Sequence, residues 1–440
     1  MTRPSFSVAM LAVCTAILAL SSPILMGAQT VSVIHSFHST STFDGLNPLS
    51  GVVADKNGAL YGTTESGGKF RAGTIYQLVP PAIPGGAWTQ NIIYAFTGRS
   101  DGAYPSGKLV LRSSGRIYGT TQAGGGPYSC GVVYQLSPPT KIQKNWTETV
   151  LYTFCEDGSG NDPVAGLITD GNGRLYGTTY KGGSLNAGSV FVLSPPAQGG
   201  SAWKGRILQS FQSGSDGSLP SPSGLAIDAD GALYGVLQQS GASPNDAGTV
   251  FKLSPPAGGG GGPWTEQVLY SFKANPDGDR PIGAPVIDAN GVLYGATLTG
   301  GQYGGGSVFS LSPPSIPGGA WSENLLYSFT AQDDGRAPNS ELAFDNTGSL
   351  YGLTVYGGNP SCDDTGVGCG VAYKLIPPIV QDGNWTEETL HAFSGGSDGA
   401  SPWAQGPLLV QGTNLYGTTI TGGTGTACTG GCGTIFQITQ

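Results

Sequence analysis

The sequence predicts an all-β protein: a seven-bladed β-propeller with four antiparallel strands per blade, its last blade closed by the N-terminal strand. Three observations carry that reading. First, Leu60-Tyr61-Gly62-Thr63-Thr64 returns at 117–121, 175–179, 233–237, 293–297, 350–354 and 415–419, with spacings of 57 to 65 residues. A period of this length marks an array of supersecondary units, not the separate domains that 440 residues would otherwise suggest. Second, each unit holds four short β-branched and aromatic runs separated by Gly, Pro and Asp, with no helical period. Third, the chain ends are complementary. The last unit stops at its third strand, 433–438, and residues 31–37 match the fourth strand that it lacks.

In chain order, residues 1–28 read as a secretory signal peptide: Arg3, an apolar core from Val8 to Leu20, and Gly27-Ala28 as a small-residue cleavage site. The propeller is expected over 29–440, with 31–37 as the closing strand. Its blades are expected near 48–96, 105–154, 163–211, 220–272, 281–329, 338–393 and 402–440. The fourth unit shows the pattern best. Residues 223–228 form a first run (A), the Asp230-Gly231 turn follows, and 232–237 form a second run (B). Residues 248–254 are a third strand (C), ended by Pro255-Pro256, and 264–272 a fourth (D). Pairing the N-terminal strand into the last blade seals edges that would otherwise invite aggregation.

Charged residues are 11% of the chain and the net charge is −9. No basic footprint for nucleic acid exists, and an acidic surface is repelled by anionic lipid. Beyond the signal peptide no apolar span follows, so stable membrane insertion is not expected. The six cysteines after Cys14 suit an exported, disulfide-bonded protein, secreted or periplasmic/extracellular. Cys130 opens a C strand and Cys155 ends the D strand antiparallel to it. Cys369 and Cys432 hold the same C-strand position, each with a neighbour in its own B-to-C loop. The expected pairs are therefore Cys130–Cys155, Cys362–Cys369 and Cys428–Cys432, all on one face of the disc.

With repeats of the form Leu-Tyr-Gly-Thr-Thr, Gly-Thr-Val-Phe-Lys-Leu (248–253) and Trp-Thr-Glu-x-Val-Leu-Tyr-Ser-Phe (264–272), the chain resembles the GloVer-type tandem-repeat proteins of bacteria from residue 31 to 440. Residues 224–237 are more loosely similar to the inner hairpin of NHL-type propeller repeats. The resemblance implies export and a repeat architecture, without a defined activity.

Candidate sites sort by face. The D-to-A loops repeat Asp-Gly at Asp44, Asp101, Asp157, Asp216, Asp277, Asp334 and Asp398. A ring of carboxylates could bind Ca²⁺ or polar sugars, since hard cations take oxygen ligands. Turn chemistry, with each carboxylate accepting backbone N–H bonds, explains the same seven copies. No cofactor is otherwise predicted. The A-to-B turns at Asp55, Asp228 and Asp288 read as hairpin turns. Trp88, Trp146, Trp203, Trp264, Trp321 and Trp385 start D strands and are expected to pack blade on blade. Asn145 and Asn384 fit the glycosylation pattern only because they abut that frame.

His35 and His391 stand where the fourth unit has Tyr270, and with His38 they form no triad with Ser or Cys. Symmetry breaks elsewhere. Strand A opens near the axis on Gly51, Gly107, Gly166, Gly224 and Gly406, but on Ala284 and Glu341 in units five and six. Unit four replaces Thr-Thr by Val236-Leu237 and extends its loop from Gln238 to Ala247, and unit seven carries Trp403. No catalytic residue is predicted; Glu341 is the candidate if the channel mouth does chemistry, and Trp403 a ligand-binding candidate. The expected function is a secreted, monomeric, non-catalytic binding or scaffold module using its loop-rich face, with a carbohydrate or protein ligand. The alternative is a propeller hydrolase or lyase acting on carbohydrate or lactone at the channel mouth.

Overall fold

The computed structural model describes residues 29–38, 43–83, 85–155, 160–197, 200, 202–214, 216–239, 247–259, 261–316, 318–362, 366–380, 383–403 and 405–440. The signal-peptide stretch, Asp157 and most of the extended loop in unit four (240–246) lie outside these residues. Apart from one 3-10 turn at Ala257–Gly259, the described residues are strands and loops. Seven antiparallel sheets form the blades of a β-propeller.

Blade 1 is representative, with strand A at Val53–Ala54, B at Leu60–Thr64, C at Thr74–Val79 and D at Thr89–Ala95. Blade 7 takes three strands from the C-terminus, Leu409–Gln411, Asn414–Thr419 and Thr434–Thr439. Its fourth is Thr30–Ser36. That strand pairs antiparallel from Thr30 opposite Thr439 to Ser36 opposite Thr434, so the ring is closed by the N-terminal strand as the repeat count predicts.

The central glycine of Leu-Tyr-Gly-Thr-Thr is required by close approach. The far end of an aromatic ring from strand C presses against it: a Cβ at Gly62 would come 2.2 Å from Tyr76 Oη, and one at Gly177 2.6 Å from Phe191 Cζ. Tyr76, Tyr134, Phe191, Phe251, Phe309, Tyr373 and Phe436 form this layer, none more than 2% exposed. Between blades, each of the six strand-D tryptophans meets the strand-B tyrosine of the preceding blade edge to face, as Trp146 meets Tyr61 at 6.4 Å and Trp264 meets Tyr176 at 6.1 Å.

Two details depart from expectation. Strand D does not alternate cleanly. Every C–D ladder carries a bulge at the same place, which in blade 4 skips Leu269 and buries it while Val268 stays half-buried. Strand A is not one continuous run either. Its ladder with strand B is only two residues in blade 4, Ala226–Ile227, and the preceding D-to-A stretch forms its own piece, Ser218–Pro220, against the far end of strand B. In blade 4, Pro220 and Pro222 offer no N–H to the ladder, whereas in blade 5 the corresponding stretch runs as one strand, Asp279–Ile287.

Candidate functional site

The D-to-A and B-to-C connections form one face of the disc, here the loop face; the A-to-B and C-to-D turns form the other, the turn face. On the loop face the Asp-Gly carboxylates reach backward into their own loops. Asp101, 7% exposed, accepts from Thr97 N at 2.7 Å, Thr97 Oγ1 at 2.5 Å and Tyr94 Oη at 3.1 Å. Asp334 repeats this with Thr330 and Tyr327, and Asp277 accepts from Tyr270 Oη at 2.5 Å and Lys273 N at 3.1 Å. Histidine takes the tyrosine's part twice: His391 Nε2 lies 3.0 Å from Asp398, and His35 Nε2 lies 3.6 Å from Asp44. Burial pushes the Asp44 carboxyl up, but the nearby His35 imidazole and hydrogen bonds from Gln90 and the His38 amide outweigh it and hold the group below its ordinary value. The Asp216 carbonyl accepts from Thr249 Oγ1 at 3.1 Å. Among the described residues, no three His, Cys, Asp or Glu side chains converge as a metal-ligand group.

In five of the seven blades a glutamate or glutamine on strand D stands beside the Asp of the preceding junction; blade 3 has Gly205 there and blade 7 has Val31. Gln90 Nε2 donates to Asp44 Oδ1 at 2.8 Å. Glu148, Glu266, Glu323 and Glu387 stand at the same strand-D position. Burial, with Asp101, Asp216, Asp277 and Asp334 respectively adding repulsion, pushes each of these carboxyls up to about 7.

The residue before each repeat proline is the least expected feature. Asn47, Tyr104, Asp162, Leu219, Arg280, Ala337 and Ser401 all have φ between 48° and 60°, a left-handed backbone that such residues rarely adopt. Inter-blade bonding holds it. The seven amides donate to carbonyls of the preceding blade at Cys432, Ala72, Cys130, Ala187, Ala247, Gly305 and Cys369, over 2.8 to 3.3 Å. The following proline packs on the glycine opening that blade's strand C; a Cβ at Gly131 would come 2.7 Å from Pro163 Cδ. The disulfides brace three of these acceptors: Cys130–Cys155, Cys362–Cys369 and Cys428–Cys432 form as the spacing predicts, with Cα separations of 5.9, 6.0 and 5.2 Å.

At the axis, the ladder register corrects the sequence alignment. Val110 pairs with Tyr118 as Val53 pairs with Tyr61, so Lys108, not Gly107, matches Gly51; by the same count Pro407, not Gly406, is the axial residue of blade 7. The ring is then Gly51, Lys108, Gly166, Gly224, Ala284, Glu341 and Pro407. Its one cation and one anion meet across the disc: Lys108 Nζ lies 2.7 Å from Glu341 Oε2 and 3.0 Å from Oε1. The side chains are 23% and 12% exposed. Lys108 was hidden by aligning on glycine. Counting three residues on from the repeat proline, as Pro48 to Gly51 and Pro338 to Glu341, finds it. Trp403 is half-buried beside Pro402, its amide bonded to Ser401 O at 2.7 Å.

The profile of the Gloeobacter/Verrucomicrobia repeat matches residues 23–226 and 221–440, together nearly the whole chain. The chain belongs to the Gloeobacter/Verrucomicrobia repeat family. No curated protein matches the chain. Its fold is similar to PorZ, a bacterial surface component of the type-IX secretion system of Porphyromonas gingivalis, at 12% identity and TM-score 0.51, covering 89% of this chain and 46% of that one. It also resembles a PL25 ulvan lyase (13% identity, TM-score 0.48, 89% of each chain) and an aldose sugar dehydrogenase from Streptomyces coelicolor (13%, 0.45, 93% and 98%). At such identities the likeness concerns the fold alone.

Proposed function

We propose that this repeat protein is an exported, non-catalytic binding or scaffold module that takes its ligand, a carbohydrate or a protein, on the loop face of the disc. The observation that supports this most is the ring before the prolines: one backbone conformation, locked seven times to the neighbouring blade, carries seven different side chains. A rigid frame with variable side chains suits recognition. Tyr104 is 43% exposed and Arg280 is also exposed, while Ala337 is buried, so the ring is not equivalent around its circle. The hydrolase or lyase alternative needs a free acid or base at the channel mouth, whereas both Glu341 oxygens are engaged by Lys108.

A glycan array probed with wild type and with a Tyr104→Ala/Arg280→Ala variant tests the carbohydrate form of this reading. Glycans retained by wild type and lost by the variant, at unchanged melting temperature, are expected. Equal retention by the variant would move the site off this face. Turnover of a sugar or lactone that Glu341→Gln abolishes would replace the module by an enzyme.

A further inference from the structure

The turn face opens into grooves beside the tryptophan–tyrosine stacks, and the groove between blades 3 and 4 differs chemically from its counterpart. Between blades 7 and 1 a cavity of about 790 Å³ is lined by Pro80, Pro81 and Trp88 with no charged side chain. Between blades 3 and 4 the equivalent cavity, about 510 Å³, has the same frame in Pro255, Pro256 and Trp264. Arg174, Lys204 and Arg206 join it, with no acidic residue in its lining. Both volumes fall in the range of small-ligand sites.

The difference comes from three residues. Lys204-Gly205-Arg206 occupy the ladder positions that Thr265-Glu266-Gln267 hold in blade 4. The local formal charge changes from −1 to +2, a difference of three, in a protein whose net charge is −9 with only 19 Lys and Arg. Room for the glutamate is absent as well, because a Cβ at Gly205 would lie 2.5 Å from the Tyr152 ring. The cations are also positioned. Arg206 Nη1 donates to Gly261 O at 3.0 Å and Gly262 O at 3.3 Å, fixing the guanidinium at the groove's edge. Asp170, the nearest acid to Arg174 at 4.0 Å, already accepts from Asn172 N, Arg174 N and Tyr176 Oη. Lys204 is exposed and in no ion pair among the described residues. The adjoining cavity, about 710 Å³, shares Arg174, Tyr176 and Trp264 and is lined by Asp170, Asp228 and Asp230 as well, so the groove is basic at one end only.

We infer that this groove is a binding site for an acidic oligosaccharide, with a sugar ring against Trp264 and Pro255 and its acid group held by Arg174, Lys204 and Arg206. Flat apolar side chains offer a surface to a pyranose ring, and guanidinium and ammonium donors complement carboxylate or sulfate oxygens. A peptide of aspartate and glutamate would use the cations but offer no ring to the tryptophan and proline walls, and a protein with net charge −9 repels a nucleic acid as a whole. The site lies on the face opposite the ring before the prolines and does not depend on that reading.

Calorimetry with tetragalacturonate and its methyl ester, which keeps the rings and loses the charge, tests it. Tetragalacturonate is expected to bind, the ester to bind at least roughly tenfold more weakly, and the difference to shrink as ionic strength exceeds about 0.3 M. Lys204→Thr/Arg206→Gln, which restores the residue types of blade 4, is expected to lose that preference with unchanged melting temperature. A sulfated tetrasaccharide binding in place of the uronate would assign the acid as sulfate and still support the site. Equal binding of the ester, equal binding of a tetraglutamate peptide, unchanged binding by the double variant, or binding of neither acidic sugar would overturn it. Retention of neutral glycans through Tyr104 and Arg280 would persist in that case, so the two readings fail separately.

Discussion

Glu148, Glu266, Glu323 and Glu387 lose solvation where an aspartate of the preceding junction stands nearby, and Gln90 shows the uncharged solution at the same position by donating to Asp44. A carboxyl raised from the usual 4.5 to about 7 holds its proton more tightly folded than unfolded. Its stabilising contribution is complete below the unfolded value and is lost as pH rises through the folded one. The four groups therefore predict a melting temperature that falls between about pH 5 and about pH 8. Asp44, held low, acts in the opposite sense and only at more acidic pH. Calorimetry of Glu148→Gln should show a higher melting temperature than wild type near pH 8 and no difference near pH 5; a gain of equal size at both would remove the titration argument.

At the scale of elements, the Asp-Gly-x-x-Pro stretch, which before blade 3 reads Ser159-Gly160-Asn161-Asp162-Pro163, is the joint between blades. Its amide bonds the previous blade, its proline caps the previous strand C, and its leading residues pair with strand B of their own blade, as Ala103 does with Ala123. Three of the seven joints are braced by disulfides. The Cys130–Cys155 loop spans 25 residues, the others 7 and 4. By loop entropy, removing the first should cost roughly 3 kcal/mol and each of the others about 2 kcal/mol. Chemical denaturation of Cys130→Ala/Cys155→Ala against Cys428→Ala/Cys432→Ala checks that order; the reverse order would mean that native strain, not loop length, governs it.

For the whole molecule, stability rests on closure. One seam differs from the other six, because the closing strand has no tryptophan to meet Tyr351. Two glutamines serve there instead: Gln440 accepts from Tyr351 Oη at 3.1 Å, and Gln29 donates to Glu388 at 2.7 Å. Deleting residues 31–37 removes the outer strand of blade 7 and bares the edge of Thr434–Thr439. Size-exclusion chromatography and thermal melting of that truncation should show association and a lowered transition; a monomer melting like wild type would refute closure as the stabilising device.

The sequence alone determined the repeat, the strand count, the ring closure and the cysteine pairs, because each follows from local periodicity and from which strands must be neighbours. It could not determine that Lys108 and Glu341 meet. They are 233 residues apart; aligning on glycine put Glu341 near the axis and passed over Lys108, and only the closed ring brings the two side chains together. The left-handed residue before each proline was equally hidden, since an isolated X-Pro step favours extended backbone and the bonds that overrule it come from another blade. The cationic groove lay outside any motif because Lys204 and Arg206 belong to blade 3 while Trp264 belongs to blade 4. Local pattern names the parts of a repeat, but contacts between repeats are made by residues a whole period apart, and packing alone decides which of them meet.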